Sequence, residues 1–350
     1  MIKKAHELGL HRVIEPKGAL PQAALRLDAT SAGFDNEVVI DVETLNVDSA
    51  SFHQILSEVG RDEDAVDERI LSIVSERGKM QNPVTGSGGM LLGRVREVGP
   101  DYDGPVELKV GDRVASLVSL TLTPLFLESI EEVRLDADQV DVKGTAYLWP
   151  SSPIVVMPDD MEERVALAAL DVCGAPAQAK RLAKEARTVL VLGAGKSGML
   201  CAATARHFRG EDVRIFGIDL AEENLKMLQE AGLVDDYRCA NARRPVDVLD
   251  ALKEMTGGEL VDLVINTCNV DGIEMAAILC ARERGVVYFF NMATDFARAA
   301  LGSEGVGKDI DLLIGNGYAS GHAELTLEIL RSTPAIQKRF GEMMSSGAEA

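Results

Sequence analysis

The sequence predicts an α/β protein in two parts, a mostly β part followed by a doubly wound parallel sheet, and three observations support this. A β run from Thr188 to Leu192 meets the spacing Gly193-x-Gly195-x-x-Gly198 and then a helix over 197–208. From 187 to 318, strand and helix patterns alternate with short connections, as in a parallel sheet with crossover helices. Before about residue 155, short alternating segments are separated by glycine, which reads as a mostly β domain. The expected boundaries are 1–155 and 156–319, with a helical tail over 320–350 that returns to either domain.

Length and composition agree. At 350 residues the prior is roughly two domains, and 46% hydrophobic residues supply two cores. Only 4% aromatic residues with 32 glycines favour aliphatic strands and many turns. A net charge of −20 repels nucleic acid and anionic membranes alike. The five cysteines, Cys173, Cys201, Cys239, Cys268 and Cys280, are widely spaced and read as reduced core residues. No metal-ligand spacing is visible, so no metal is expected. Met1-Ile-Lys-Lys-Ala-His6 lacks the apolar stretch of a signal peptide and no apolar run is long enough to span a membrane, so the expected location is cytoplasmic.

In the first part, Asn36-Glu-Val-Val-Ile-Asp-Val42, Leu92-Gly-Arg-Val-Arg-Glu-Val98 and Asp112-Arg-Val-Ala-Ser-Leu-Val118 are expected strands, interrupted by one amphipathic helix over 63–77 carrying Val66, Ile70, Ile73 and Val74. In the second part, six strands are expected at 188–193, 213–218, about 236–239, 261–266, 285–290 and 310–314. The helices between them begin near Ser197, Ala221, Pro245, Gly272 and Asp295. Val261 to Asn266 and Val286 to Phe290 are almost continuously apolar, as strands covered on both faces are. Helices over 322–331 and 333–344 close the chain.

The glycine spacing carries the first chemical signal. Gly193 suits a tight turn, Gly195 lets the backbone approach a pyrophosphate, and Gly198 permits close packing of helix on strand. The phosphates then face a helix N-terminus, whose unpaired N–H groups favour an anion. Asp219 ends the next strand about 20–26 residues on, where a carboxylate accepts hydrogen bonds from ribose hydroxyls and repels a 2′-phosphate. NAD is therefore expected, with Arg243 and Arg244 keeping an NADP reading open. Lys196 reads as a phosphate contact or as an exposed first-turn residue, and Ser197 as a donor to the pyrophosphate. Asn266, Thr267 and Asn269 after the fourth strand, and Asn291 and Met292 after the fifth, are expected to edge the nicotinamide pocket.

A β-rich first half with Gly93-Arg-Val-Arg-Glu-Val-Gly99 and Lys109-Val-Gly-Asp-Arg-Val114, then a dinucleotide-binding half, resembles the medium-chain dehydrogenase/reductase superfamily. The resemblance implies a GroES-like catalytic domain and a Rossmann domain with a cleft between them. Pro158 to Leu170 is similar to the helix that precedes the cofactor domain there. The chain departs from the zinc-dependent members: no cysteine stands near Asn46-Val-Asp-Ser49, and no histidine-glutamate pair near Gly88-Gly89. No four-cysteine lobe is present either, so neither zinc is carried over.

A closer resemblance rests on Lys79-Met-Gln-Asn-Pro-Val-Thr-Gly-Ser-Gly-Gly-Met90, Leu117 to Leu125, Ala168 to Gln178, Lys196 to Cys201, Gly305 to Asp309 and His11-Arg-Val-Ile-Glu-Pro-Lys-Gly18. These segments are similar to the L-erythro-3,5-diaminohexanoate dehydrogenase family of anaerobic lysine degradation. It implies NAD-dependent oxidative deamination of (3S,5S)-3,5-diaminohexanoate to 5-amino-3-oxohexanoate, ammonia and NADH. A homodimer is implied only by the superfamily's habit of pairing Rossmann edges.

That chemistry needs a neutral amine before hydride leaves and a proton acceptor nearby, with anionic or carbonyl partners for two amines and a cation or N–H donors for the carboxylate. Asp48 is the expected amine partner or base, assisted by Ser49 and Ser51; it reads equally as a helix-cap carboxylate. Lys79, with Asn82 and Thr85, is the expected holder of the substrate carboxylate, against a solvated lysine and ordinary turn hydrogen bonds. His53 reads as a proton relay or as an ordinary helix side chain. Asp171 reads as a residue positioning nicotinamide or substrate, or as a cap or salt-bridge residue. Ser119 and Thr121 alternate on an expected strand and read as residues lining the cleft or, equally, as sheet-edge hydrogen bonders. A zinc-free alcohol dehydrogenase or quinone/enoyl reductase remains the alternative enzyme, and an inactive dinucleotide sensor the alternative of another class.

Overall fold

The computed structural model describes residues 4–135 and 137–345; residues 346–350 of the expected tail lie outside it. Two compact units are present, Met1–Glu163 and Arg164–Ala350. No helix among the described residues is long and apolar enough to cross a membrane.

The first unit opens with β1 (Val13–Glu15) and β2 (Arg26–Leu27), paired antiparallel. Its body is β3 (Val38–Val47), α1 (Ser49–Val59), α2 (Glu63–Arg77), β4 (Gly89–Val98), β5 (Arg113–Ser116), β6 (Leu125–Arg134), β7 (Gln139–Leu148) and β8 (Ile154–Val156). All pairings in the sheet β6-β7-β3-β4-β5-β8 are antiparallel. Alternate residues of β3, among them Val38, Ile40 and Val42, join Val66, Ile70, Ile73 and Val74 of α2 in one apolar cluster, the residues whose 3.6 spacing marked the helix. Helix α1 stands beside the amphipathic helix expected over 63–77 and agrees with the cap reading of Asp48 and the helix reading of His53. It is short, and its signal was confined to the cap at Asp48, whose carboxylate accepts from the Ala50 N–H at 3.1 Å. Ser119 and Thr121 do not sit on a strand, as expected, but in a turn before β6. Its geometry is local: the Thr121 N–H donates to Ser119 Oγ at 3.2 Å and Thr123 Oγ1 to the Ser119 carbonyl at 3.1 Å. Such serine and threonine bonds compete with a sheet ladder.

The His11-Arg12 motif has a structural explanation. The Arg12 guanidinium is fully buried, paired with Glu37 and donating to the carbonyls of Asp28, Ser31 and Ala32. It also lies 4.0 Å from the centre of the Tyr147 ring. Burial alone pushes the Glu37 carboxyl up, but hydrogen bonds from His11 and Arg12 outweigh it and hold that group below its ordinary range. The segment is thus a polar anchor of the N-terminal arm.

Arg164–Ala350 contains α3 (Glu163–Leu170, its first residue in the other unit), α4 (Gly174–Leu182), β9 (Thr188–Leu192), α5 (Lys196–Arg209), β10 (Arg214–Asp219), α6 (Glu222–Glu230), β11 (Asp236–Cys239), α7 (Pro245–Thr256), β12 (Val261–Asn266), α8 (Glu274–Cys280), β13 (Ala281–Phe289), α9 (Phe296–Gly305), β14 (Asp311–Ile314), α10 (His322–Ser332) and α11 (Pro334–Ser345). The six strands are parallel in the order β11-β10-β9-β12-β13-β14. The order reverses beside β9, and in open parallel sheets such a switch point is where ligands bind, at the carboxyl ends of the strands. Strand β13 begins four residues before the expected 285, because Arg284 at φ 59° and a register shift against β12 let Ala281 pair with Val261. Helices α10 and α11 pack against α4 and α5 in this unit.

Candidate active site

In the first unit, the end of β3 delivers Asp48 beside the loop between α2 and β4. Two glycines make the approach possible. A Cβ on Gly89, at φ +108°, would fall 2.0 Å from the Asn46 carbonyl oxygen, and one on Gly88 2.3 Å from that of Met80. Ser87 Oγ donates to Asp48 Oδ1 at 2.8 Å. Ser51 Oγ, fully buried, lies 2.6 Å from both Thr85 Oγ1 and Ser87 Oγ. Asn82 ties the loop to α1: its Nδ2 donates to the Ser51 carbonyl at 3.2 Å and Gln54 Oε1 at 2.7 Å, and its Oδ1 accepts from Val84 and Thr85 N–H. Of the residues expected in the catalytic half, the structure therefore brings Asp48, Ser51, Asn82 and Thr85 into one network.

Others lie elsewhere. Ser49 Oγ turns to Asp138 at 2.6 Å, and His53 is exposed on α1, where its carbonyl accepts from Ser57. Ser119 and Thr121 bond to each other. Lys79 does not face this network as a carboxylate holder. Its ammonium is fully buried and donates to the carbonyls of Pro21 at 2.8 Å and Gln22 at 3.1 Å, clipping the N-terminal arm to the end of α2. A lysine looks solvated in sequence, and only the long-range contact reveals the clip. Ser87 is the residue that was missed as an individual site; its signal was the loop's hydroxyl density.

Burial, with a smaller contribution from Arg77, lowers the Lys79 ammonium from 10.5 to about 8. The unfolded chain thus binds more protons than the folded one between about 8 and 10.5, and this group makes stability rise with pH across that window. Lys79→Met is expected to flatten the rise, read as the urea midpoint against pH; an unchanged slope would assign it to other groups.

In the second unit, the glycine turn has the shape that a dinucleotide needs. Gly193 has φ +100°, and a Cβ there would meet Thr267 Oγ1 at 2.8 Å and Cys268 Sγ at 2.9 Å. A Cβ on Gly198 would fall 1.8 Å from the Gly193 carbonyl oxygen, whereas Gly195 has no heavy atom within 4 Å of that position. The turn is thus closed beneath and open above Gly195. The first backbone bond of α5 runs from the Met199 N–H to the Gly195 carbonyl, which leaves the N–H groups of Lys196, Ser197 and Gly198 without helical acceptors. Asp219 stands beside the turn, with Oδ2 accepting from the Ala194 N–H at 2.5 Å and Oδ1 from Ala221 at 2.8 Å. These groups fit a pyrophosphate over Gly195 and a ribose at Asp219.

The remaining cofactor-side residues divide by role. Thr267 Oγ1 donates to the carbonyl of Gly193 at 3.1 Å, so it fastens the turn to β12. Asn266 Oδ1 accepts from Cys268 N–H, while its Nδ2 and that of Asn291 are buried with no protein partner. Asn269 and Met292 are exposed. Lys196 Nζ lies 3.9 Å from Asp171. Burial pushes the Cys268 thiol up to about 12, with Asp219 adding to the shift, which keeps it protonated. Among the described residues, no group of three or more His, Cys, Asp or Glu is placed to hold a metal ion.

Comparison with known proteins bears on both units. Residues 11–158 match the family model of the L-erythro-3,5-diaminohexanoate dehydrogenase N-terminal domain. A curated L-erythro-3,5-diaminohexanoate dehydrogenase of Acetoanaerobium sticklandii is 51% identical over 97% of this chain and 99% of its own. One of Fusobacterium nucleatum is 48% identical over 98% and 99%. An alcohol dehydrogenase structure from Thermotoga maritima shares the fold, with TM-score 0.55, 15% identity, and 90% and 91% of the two chains covered. The fold expected of the sequence, a mostly β unit followed by a doubly wound parallel sheet, is the one observed, and with identity of this depth over nearly its whole length the chain belongs to the L-erythro-3,5-diaminohexanoate dehydrogenase family.

Proposed function

We propose that this protein oxidises (3S,5S)-3,5-diaminohexanoate with NAD and water to 5-amino-3-oxohexanoate, ammonium, NADH and one proton. The observation that carries the reading is the 51% identity across 97% of the chain to a dehydrogenase of that name. The first unit is the substrate half and the second the cofactor half, in keeping with the resemblance of each. The turn around Gly195, with Asp219 beside it, would hold NAD, which would supply the acceptor for the hydride of C3.

The chain's own residues then have the following parts. Asp48 takes the proton of the C3 ammonium, so that the nitrogen lone pair can form the C=N bond as hydride leaves. It then takes a proton from the water that adds and returns one to the nitrogen that leaves as ammonium, so that of two protons taken one remains to be released. Ser87 and the α1 N-terminus orient its carboxylate. Asp219 holds the adenosine ribose and repels a 2′-phosphate. Asn266 and Asn291, with their unpartnered amides, are donors to the nicotinamide carboxamide or the substrate carboxylate. The exposed Phe296, Leu301, Val306 and Ile314, with β14 at the open end of the sheet, support a homodimer. The composition supports a cytoplasmic enzyme.

Incubation with NAD and the diamino acid is expected to yield NADH and ammonia together; absence of both from a protein shown to bind NAD would sink the reading. Asp219→Ser with Leu220→Arg is expected to move preference from NAD towards NADP by at least about tenfold, about 1.4 kcal/mol of differential binding. Unchanged discrimination would remove Asp219 from this role.

A further inference from the structure

The proposed reaction releases one proton per turnover, and Asp48 is linked to Thr85 by an unbroken line of hydroxyls. Its direction follows from counting protons. Ser87 gives its single hydroxyl proton to Asp48 Oδ1 at 2.8 Å, so its oxygen is left to accept from Ser51 at 2.6 Å. Ser51 in turn has no second proton and accepts from Thr85 at 2.6 Å, while Thr85 Oγ1 also lies 3.1 Å from Ser87 Oγ, a longer contact beside the line. Asp48 and Ser87 are half-buried, Ser51 is fully buried and Thr85 is exposed. The line thus leads from a carboxylate, through the dry packing of α1, to solvent. Asn82 holds the loop against α1 from two sides.

We infer that Ser87, Ser51 and Thr85 form a proton relay that empties Asp48 into solvent after each turnover. This rests on the assignment of Asp48 as base. When Asp48 takes up a proton, the three hydroxyls first turn to donate outward, and its O–H bond then breaks as one forms to Ser87 Oγ. Ser87 passes its own proton to Ser51, Ser51 to Thr85, and Thr85 to bulk water. One proton enters and one leaves, no electrons move, and each hydroxyl ends whole, with every hydrogen bond reversed. Reversal needs acceptors that also donate, which hydroxyls are and amides are not. Asp138, a further carboxylate beside this segment, accepts from Ser49 at 2.6 Å. The three hydroxyl residues are positioning residues; none is assigned contact with substrate.

The test pairs Thr85→Val, which keeps shape without the hydroxyl, with Thr85→Ser, which keeps the hydroxyl. Thr85→Val is expected to lower kcat about tenfold, a fraction of the 10²–10⁴ that acid–base groups contribute, with KM within about twofold. Thr85→Ser should recover most of the loss. In mixtures of water and deuterium oxide, wild-type kcat should fall along a curve, as several protons move together, and Thr85→Val along a straight line. Wild-type kcat and an unchanged curve in Thr85→Val would overturn the relay while leaving the deamination reading intact. A measurement without substrate decides it independently. The Asp48 carboxylate band, isolated as the infrared difference between wild type and Asp48→Asn, should shift in Ser87→Ala and, through the line, in Ser51→Ala and Thr85→Val. A band that moves only in Ser87→Ala would show that the line is broken, whatever the protein oxidises.

Discussion

Asp48→Asn is expected to lower turnover with NAD and the diamino acid by about 100-fold or more, the lower range of what a general base contributes, while NAD affinity stays unchanged. The substitution isolates charge from architecture. Asparagine caps helices as well as aspartate does, so its side-chain oxygen can still accept from Ala50 and Ser87, the two bonds that hold Asp48 now. What it lacks is the ability to take a proton at neutral pH. The measurement is kcat beside the dissociation constant of NAD followed by fluorescence. Turnover within twofold of wild type would mean that the carboxylate is only a cap.

Gly198→Ala is expected to weaken NAD binding tenfold or more and to lower the melting temperature. Alanine is the better helix former by about 1 kcal/mol, but here its methyl would sit 1.8 Å from the Gly193 carbonyl oxygen, with Thr267 Oγ1 also 3.1 Å away. The neighbour is backbone, and it belongs to the turn that receives the pyrophosphate. Overpacking of this kind costs about 1–3 kcal/mol, and it misplaces the N–H groups that face the phosphates. Gly195→Ala is the control for stability, since the space at its Cβ is open; it should lose NAD affinity without losing melting temperature. Wild-type NAD affinity in Gly198→Ala would show that α5 shifts freely and that the close packing is dispensable.

The legible and illegible parts of this chain differ in the range of the interactions that set them. The glycine turn, the six parallel strands and the cap at Asp48 follow from patterns within a few residues, and sequence reading places them within a residue or two, apart from the early start of β13. Lys79 shows the limit. Its neighbours in sequence are polar and a solvated or substrate-holding lysine is the natural expectation, yet its partners are two carbonyls 57 and 58 residues away. Ser119 and Thr121 alternate as strand residues do, but their hydroxyl bonds curl the chain into a turn. The contact of Ser87 with Asp48 spans 39 residues and depends on two glycines whose closeness to other backbone no local pattern reveals. Family resemblance supplied the substrate, which neither the turn nor the network names.

The central claim is that the hydride leaves a carbon bearing an amine, and the stoichiometry of products in a single sample tests it most directly. With NAD in excess and a limiting amount of the diamino acid, NADH by absorbance and ammonia by an enzymatic assay should rise together at one to one. NADH without ammonia, from this substrate or from a hydroxy analogue oxidised faster than the amine, would contradict it.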